Sequence, residues 1–166
     1  MMNDELLTHI LISQGTHPFA QRLAKLLVSF ECCYGITDPH SPLLQTTKYL
    51  LIPDAGSPHF VHGLLKSCLD RQIQLLIPLG QRELIPLAQA APLFSEYGID
   101  ILLPSQQDLS FYPVLVDPAR SCYPMVLHNG RDISGSSQKD SYELLSGIYI
   151  ASDDGGELTL CCVTDL

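Results

Sequence analysis

Polar side chains and one glycine follow the apolar runs in the first two thirds of the chain, and such residues can contact a polar ligand. Each comes shortly after a predicted buried strand. We therefore expect them at one edge of a parallel sheet, where open α/β sheets bind small molecules. The candidate ligand-binding residues are Gly15, His17, Asp38, Asp54, Gln81 and Glu83.

The segment Ser13–Pro18 lies where a dinucleotide-binding protein would have its phosphate loop, between a first strand and a first helix. Such a loop needs several glycines so that backbone N–H groups can approach a pyrophosphate. Only Gly15 is present, and Pro18 removes one donor. A tight turn without a ligand is therefore favoured over a phosphate site.

Two further groups have a structural interpretation that is favoured over the chemical one. His59 and His62 are three residues apart on a predicted helix, but a metal site would need a third ligand, so we predict a surface or capping role. Glu83 would complement a helix dipole; in the alternative, Arg82 and Glu83 contact a ligand. Ser136 lacks the strand–turn–helix context of a reactive serine. We predict no metal ligands and no catalytic residues.

The chain has 166 residues and a net charge of −9. This charge makes nucleic acid or an anionic membrane an unfavourable partner. Apolar runs are far shorter than the roughly 20 residues that span a bilayer, and the first residues carry no basic region of a signal peptide. We therefore expect a cytoplasmic protein.

The six cysteines include two adjacent pairs in strand-like segments. The two side chains of each pair would point to opposite faces of the strand, so we expect buried, reduced thiols.

Short apolar runs alternate with helix-length segments, which predicts an α/β domain. We expect a Rossmann-like parallel sheet of about five strands flanked by helices. The predicted helices cover Phe19–Phe30, His59–Gln72 and Glu83–Tyr97. The predicted strands are His9–Ser13, Cys32–Ile36, Tyr49–Pro53, Gln74–Pro78 and Ile99–Leu103.

The pattern changes near Ser105, so we assign residues 1–105 to the α/β domain and residues 106–166 to a small, β-rich, acidic tail. Strands are predicted at Pro113–Pro118 and Pro124–His128, with a tight turn at Asn129-Gly130. A short helix is predicted at Asp140–Ser146, followed by a hairpin of Ile148–Ser152 and Leu158–Val163.

Residues 9–105 resemble the N-terminal, pre-ATP-grasp region of ATP-grasp ligases, the group of carbamoyl-phosphate synthase large chains and biotin carboxylase. The resemblance rests on Ile10–Gly15 with Gln21-Arg22-Leu23, on Ile77-Pro78 with the following Glu83-Leu84, and on Phe94 to Leu103. It implies a Rossmann-like fold at the front of a ligase.

The tail departs from that family where the chemistry would lie. The nucleotide-binding lysine of the family would fall at Asp117, which reverses the charge facing a triphosphate. The sequence ends before any magnesium-binding carboxylates of the family. The resemblance therefore implies a truncated, degenerate relative that needs no cofactor in this chain. ATP and Mg²⁺ would bind only if a partner chain supplies the ATP-grasp domain.

These observations favour a non-catalytic protein that binds a small polar molecule or a partner. One alternative is a subunit of a split ATP-dependent carboxylate–amine ligase whose ATP site is on another chain. A second is a homodimeric interaction module. Apolar residues of the tail need burial, and exposed strand edges find partners, so a homodimer is favoured over a monomer, with residues 148–163 at the interface.

Overall fold

A computed structural model describes residues 8–135 and 142–165 of the chain, and it confirms the α/β fold class. Two five-stranded sheets follow one another along the sequence, the first parallel and the second mixed. The strands of the first sheet are β1 (His9–Ile12), β2 (Glu31–Ile36), β3 (Tyr49–Leu51), β4 (Leu75–Ile77) and β5 (Asp100–Ile101). The helices are α1 (Pro18–Leu26), α2 (Phe60–Asp70) and α3 (Leu84–Glu96).

The first sheet has the strand order β3-β2-β1-β4-β5, and every pair in it is parallel. In this order the connections reverse direction between β1 and β4, which makes that gap the topological switch point of the sheet. The central strands β1 and β4 are short, apolar and largely buried, as expected of a parallel sheet covered on both faces, whereas the outer strands include exposed positions such as Glu31 and Leu51.

The second sheet contains β6 (Val114–Val116), β7 (Met125–His128), β8 (Arg131–Asp132), β9 (Gly147–Ala151) and β10 (Leu158–Cys162). Its order is β6-β10-β9-β7-β8, with β6 parallel to β10 and the other pairs antiparallel. The β9–β10 hairpin and the turn at Asn129-Gly130 are as predicted. Both turn residues have positive φ (51° and 85°), the geometry for which Asn-Gly is favoured.

Both sheets share the same two apolar clusters. Leu160 and Cys162 on one face of β10 pack in the cluster that holds Leu11 of β1, whereas Cys161 on the other face packs with Ile10. This alternation follows the two-residue period of a strand. The C-terminal segment therefore completes the core of the first sheet.

Two predicted helices were wrong in extent or in kind. α1 ends at Leu26 rather than Phe30, because Leu27 leaves the helical conformation and its N–H bonds the carbonyl of Ala24. In the predicted helix at 140–146, residues 140–141 lie outside the described part. Residues 142–146 form turns, since Glu143 and Leu144 adopt left-handed φ values of 53° and 65°.

Candidate functional site

All five strands of the first sheet are parallel, so the loops that follow them leave at one edge. The loops after β1 and β4 flank the topological switch point, which is the usual ligand crevice of such folds. Here protein groups bridge these two loops. The N–H of Leu79 donates to Oγ of Ser13 at 2.7 Å, and Nε2 of Gln14 donates to Oε2 of Glu83 at 2.8 Å.

Glu83 is the buried polar centre of this bridge, with 1 % of its surface exposed. Its Oε2 also accepts from the N–H of Gly80 at 3.1 Å, whereas Oε1 has no hydrogen-bond partner among the described residues. Burial raises the pKa of Glu83, hydrogen bonds from Gln14, Ser13 and Gly80 oppose that rise, and the nearby charge of Asp165 adds to it. The group therefore fastens the loops together and has no open face toward solvent.

The C-terminal segment closes the same crevice from the other side. Val163 forms a parallel bridge with Gly80, since its N–H bonds the carbonyl of Leu79 at 2.8 Å and its carbonyl accepts from Gln81 at 2.9 Å. The carboxylate of Asp165 then accepts from the N–H of Arg82 at 2.9 Å. The crevice between β1 and β4 is thus filled by the chain itself.

A cleft of about 230 Å³ remains open on the other side of β1, between the loops that follow β1 and β2. Its lining combines an amide, three hydroxyls and one carboxylate with the backbone of two glycines. The lining residues are Gln14, Gly15, Thr16, Gly35, Ile36, Thr37, Asp38 and Ser41.

The Asp38 carboxylate holds its own loop and still faces the cleft. Its Oδ1 accepts from the N–H of His40 at 2.9 Å, which fixes the turn after β2. Ser41 caps the following 3₁₀ turn, where its Oγ accepts from the N–H of Leu43 at 3.3 Å. Both side chains are therefore positioned by local backbone contacts alone.

Gly15 is required by close approach between β1 and β2. A Cβ atom at this position would lie 2.4 Å from Cβ of Tyr34 and 3.0 Å from the carbonyl oxygen of Gly35. The N–H of Gly15 donates to that same carbonyl at 2.8 Å. This donor therefore extends the sheet and is not available to a phosphate. The preceding Gln14 has a left-handed φ of 53°, which is costly for a residue with a side chain.

The N-terminus of α1 has no free donor for an anion. Pro18 lacks an N–H, the N–H of Phe19 bonds Nδ1 of His17 at 3.0 Å, and those of Ala20 and Gln21 bond the carbonyl of His17. A helix that satisfies its first N–H groups in this way does not offer the usual phosphate site. The prediction of a tight turn agrees with this geometry.

A carboxylate of the chain already lies beside this helix end. Asp117 follows β6, and its oxygens accept from the N–H and the hydroxyl of Thr164 at 2.9 and 2.7 Å. Its Oδ1 is 3.4 Å from Nε2 of His17. The bonds from Thr164, more than the charge of His17, lower the pKa of Asp117. Asp117 thus joins the C-terminal segment to the loop after β1.

Asp54 and Arg82 pair across the loops that follow β3 and β4. Oδ1 of Asp54 lies 3.6 Å from NH2 of Arg82 and also accepts from the N–H of Gly56 at 2.8 Å. Both side chains are about half exposed, so the ion pair adds little stability.

Five of the six thiols are poor nucleophiles because they are buried. Burial raises the pKa of Cys32, Cys33 and Cys162 to about 11, and that of Cys68 and Cys161 to about 12. All six cysteines are free. Among residues 8–135 and 142–165, no group of three His, Cys, Asp or Glu side chains is arranged to hold a metal ion.

The structure brings two of the six predicted ligand residues together in the open cleft, namely Gly15 and Asp38. The other four follow the same strand ends but make other contacts. His17 caps α1, Asp54 pairs with Arg82, Gln81 bonds Val163 through its backbone, and Glu83 is buried beneath Gln14.

Sequence reasoning missed Gln14, Thr16, Thr37 and Ser41 as lining residues. Gly35 could have been found, because a glycine inside a strand pattern often marks close backbone approach. A Cβ atom on Gly35 would lie 2.6 Å from Cδ1 of Ile52.

No protein-family model and no curated protein matches this sequence. In the described part of the chain, no helix has the length and apolar character needed to cross a bilayer.

Proposed function

We propose that this protein binds a small, uncharged, hydroxyl-bearing molecule in the cleft between the loops after β1 and β2, and that it is not catalytic by itself. The observation that carries this proposal is the lining of the cleft. Carboxylate, hydroxyl and amide groups converge there at the carboxyl ends of two parallel strands.

The size of the cleft and its charges favour a sugar-sized ligand over a nucleotide. Its volume of about 230 Å³ is below the roughly 300–1,000 Å³ of pockets for larger ligands. No cationic side chain lines it among the described residues, and the donors of α1 are already used. A vicinal diol suits a carboxylate such as Asp38, which accepts two hydroxyl hydrogen bonds.

The relation to ATP-grasp ligases remains part of the proposal. The Rossmann-like strand order is consistent with it, although fold alone does not carry function. The split-ligase alternative also stays a prediction. Asp117, which contacts Thr164 and His17, disfavours a triphosphate site on this chain only, whereas that alternative has its ATP site on another chain.

Support for the homodimer has also changed. The homodimer was predicted because apolar residues of the tail need to be buried. The structure buries four of them within a single chain, namely Ile148, Tyr149, Leu160 and Val163. A dimer stays a prediction, and it would use surfaces other than these four side chains.

The test uses D-ribose as a probe, with 2-deoxyribose as the analogue that lacks one hydroxyl, followed by amide chemical shifts. We expect ribose to shift the amides of 14–16 and 35–41. Asp38→Asn should weaken binding about tenfold, the effect of losing a charged hydrogen bond. Asp153→Asn, which removes the same charge from an exposed turn, is the control. Equal loss in both variants, or shifts confined to other loops, would contradict the proposal.

A further inference from the structure

A second cavity lies on the outer face of α1, between this helix and the loop that follows β6. One face of α1 lines this cavity through four residues at helical spacing, Pro18, Gln21, Arg22 and Lys25. The other face of the helix carries the buried Phe19 and Leu23. Thr16 and Arg120 complete the lining of a groove of about 590 Å³. Three of its six lining side chains are cationic, although the whole chain has only nine Lys and Arg residues.

Arg22 builds this groove by holding the loop across from it. Its NH2 donates to the carbonyl of Cys122 at 2.6 Å and to that of Arg120 at 3.3 Å, and its NH1 donates to that of Ala119 at 3.4 Å. The guanidinium also lies 5.5 Å from the ring centroid of Phe19. A side chain with several fixed contacts is a rigid positioning group, and here it sets Arg120 opposite α1.

Lys25 and Arg120 are both exposed and lack a carboxylate partner. Within residues 8–135 and 142–165 neither side chain forms an ion pair, and no acidic residue lines the groove. The nearest acidic residue along this loop, Asp117, is engaged by Thr164 and His17. Cations gathered on one surface without counter-charge repel one another, and a bound anion relieves that repulsion.

We propose that this groove binds the phosphate group of a small molecule. Arg120 offers a planar fork of donors, Lys25 a point charge, and the Thr16 hydroxyl lies on the same wall. The amide nitrogen of Gln21 donates to the carbonyl of Gly15 at 2.8 Å, so Gln21 supports the wall and is not counted as a donor to the ligand. The net charge of −9 repels extended polyanions, so the phosphate belongs to a small molecule rather than to nucleic acid. The inference is independent of the sugar-sized ligand proposed above, because Thr16 alone is shared by the two cavities.

The experiment is a titration with inorganic phosphate at constant ionic strength, followed by amide chemical shifts of the full chain. We expect saturable shifts at 16–25 and 119–122. Lys25→Gln and Arg120→Gln should each raise the dissociation constant about tenfold. Arg131→Gln removes the same charge from an exposed strand of the second sheet and should change it less than about twofold. Circular dichroism of each variant establishes that the fold is intact.

Two results would show that the groove is not a phosphate site, and a third would show that its ligand is not a small molecule. Equal weakening by Arg131→Gln and Arg120→Gln would mean that phosphate responds only to overall charge. Shifts that do not saturate, or that lie outside the groove, would mean that no site exists there. A short oligodeoxynucleotide is the second probe, and tighter binding of it than of phosphate would reject a small-molecule ligand.

Discussion

At the carboxyl edge of the first sheet, the loop after β4 is joined to the loop after β1, whereas the loop after β2 is separated from it by a cleft. On the β4 side, Gln14 and Glu83 join the loops, and Val163 pairs with the backbone of Gly80. On the β2 side, the loop with Asp38 stands apart and leaves a cleft. The C-terminal segment thus occupies the place where such folds usually bind their ligand, which is why our proposal puts the ligand on the β2 side.

The sharpest test of this comparison is a pair of alanine substitutions, one on each side. Glu83→Ala should lower the free energy of unfolding by about 3 kcal/mol, because it leaves two buried donors without an acceptor. Asp38→Ala should lower it by about 1 kcal/mol or less, since the one hydrogen bond given for its side chain, from the N–H of His40, lies in an exposed turn. Urea denaturation measures both. If both variants lost a similar amount of unfolding free energy, the β4 side would not be more important for stability than the β2 side.

A smaller effect is expected where β1 and β2 approach. Gly15→Ala places a methyl group against the backbone of Tyr34 and Gly35, so it should cost about 2 kcal/mol of unfolding free energy. Gly156→Ala, in an exposed turn where the nearest atom belongs to a movable side chain, is the control and should be near neutral. Thermal melts compare them. A stable Gly15→Ala protein would mean that the strands can separate and the cleft can widen.

The last prediction concerns pH. A carboxyl whose pKa is raised by folding binds its proton more tightly in the folded state. Its contribution is therefore fully present below the unfolded pKa of about 4.3 and is lost as pH rises through the folded pKa. Glu83→Gln, which cannot ionise, should remove this loss. When the free energy of unfolding is measured from pH 4 upward, it should thus decline in the wild type because of Glu83, and the variant should lack this decline. Parallel profiles would exclude Glu83 as the titrating group.

The sequence was sufficient for the sheet and for its strands, because short apolar runs such as Gln74–Pro78 have only one stable environment, a sheet covered on both faces. It predicted that Gly15 and Asp38 lie at the carboxyl edge of the sheet, where both line the open cleft, because each comes shortly after a strand end. It did not show that Glu83 would be buried, because that depends on Val163 and Asp165 returning from 80 positions further along the chain. Long-range pairing of this kind leaves no local pattern. Thr16 and Ser41 were missed for a related reason, since a hydroxyl in a loop has no periodicity.

The sharing of both apolar clusters by the last strands bears on how the chain folds as it is made. β1 and β4 pair early in the sequence, but their cluster is complete only when β10 packs on it. The ribosome adds residues at about 5–20 per second, so the apolar clusters of the first sheet stay partly exposed for several seconds until β10 has been made. We expect a nascent chain of residues 1–105 to remain sensitive to protease, and protection to arise in a single step once residues 158–165 have left the ribosome.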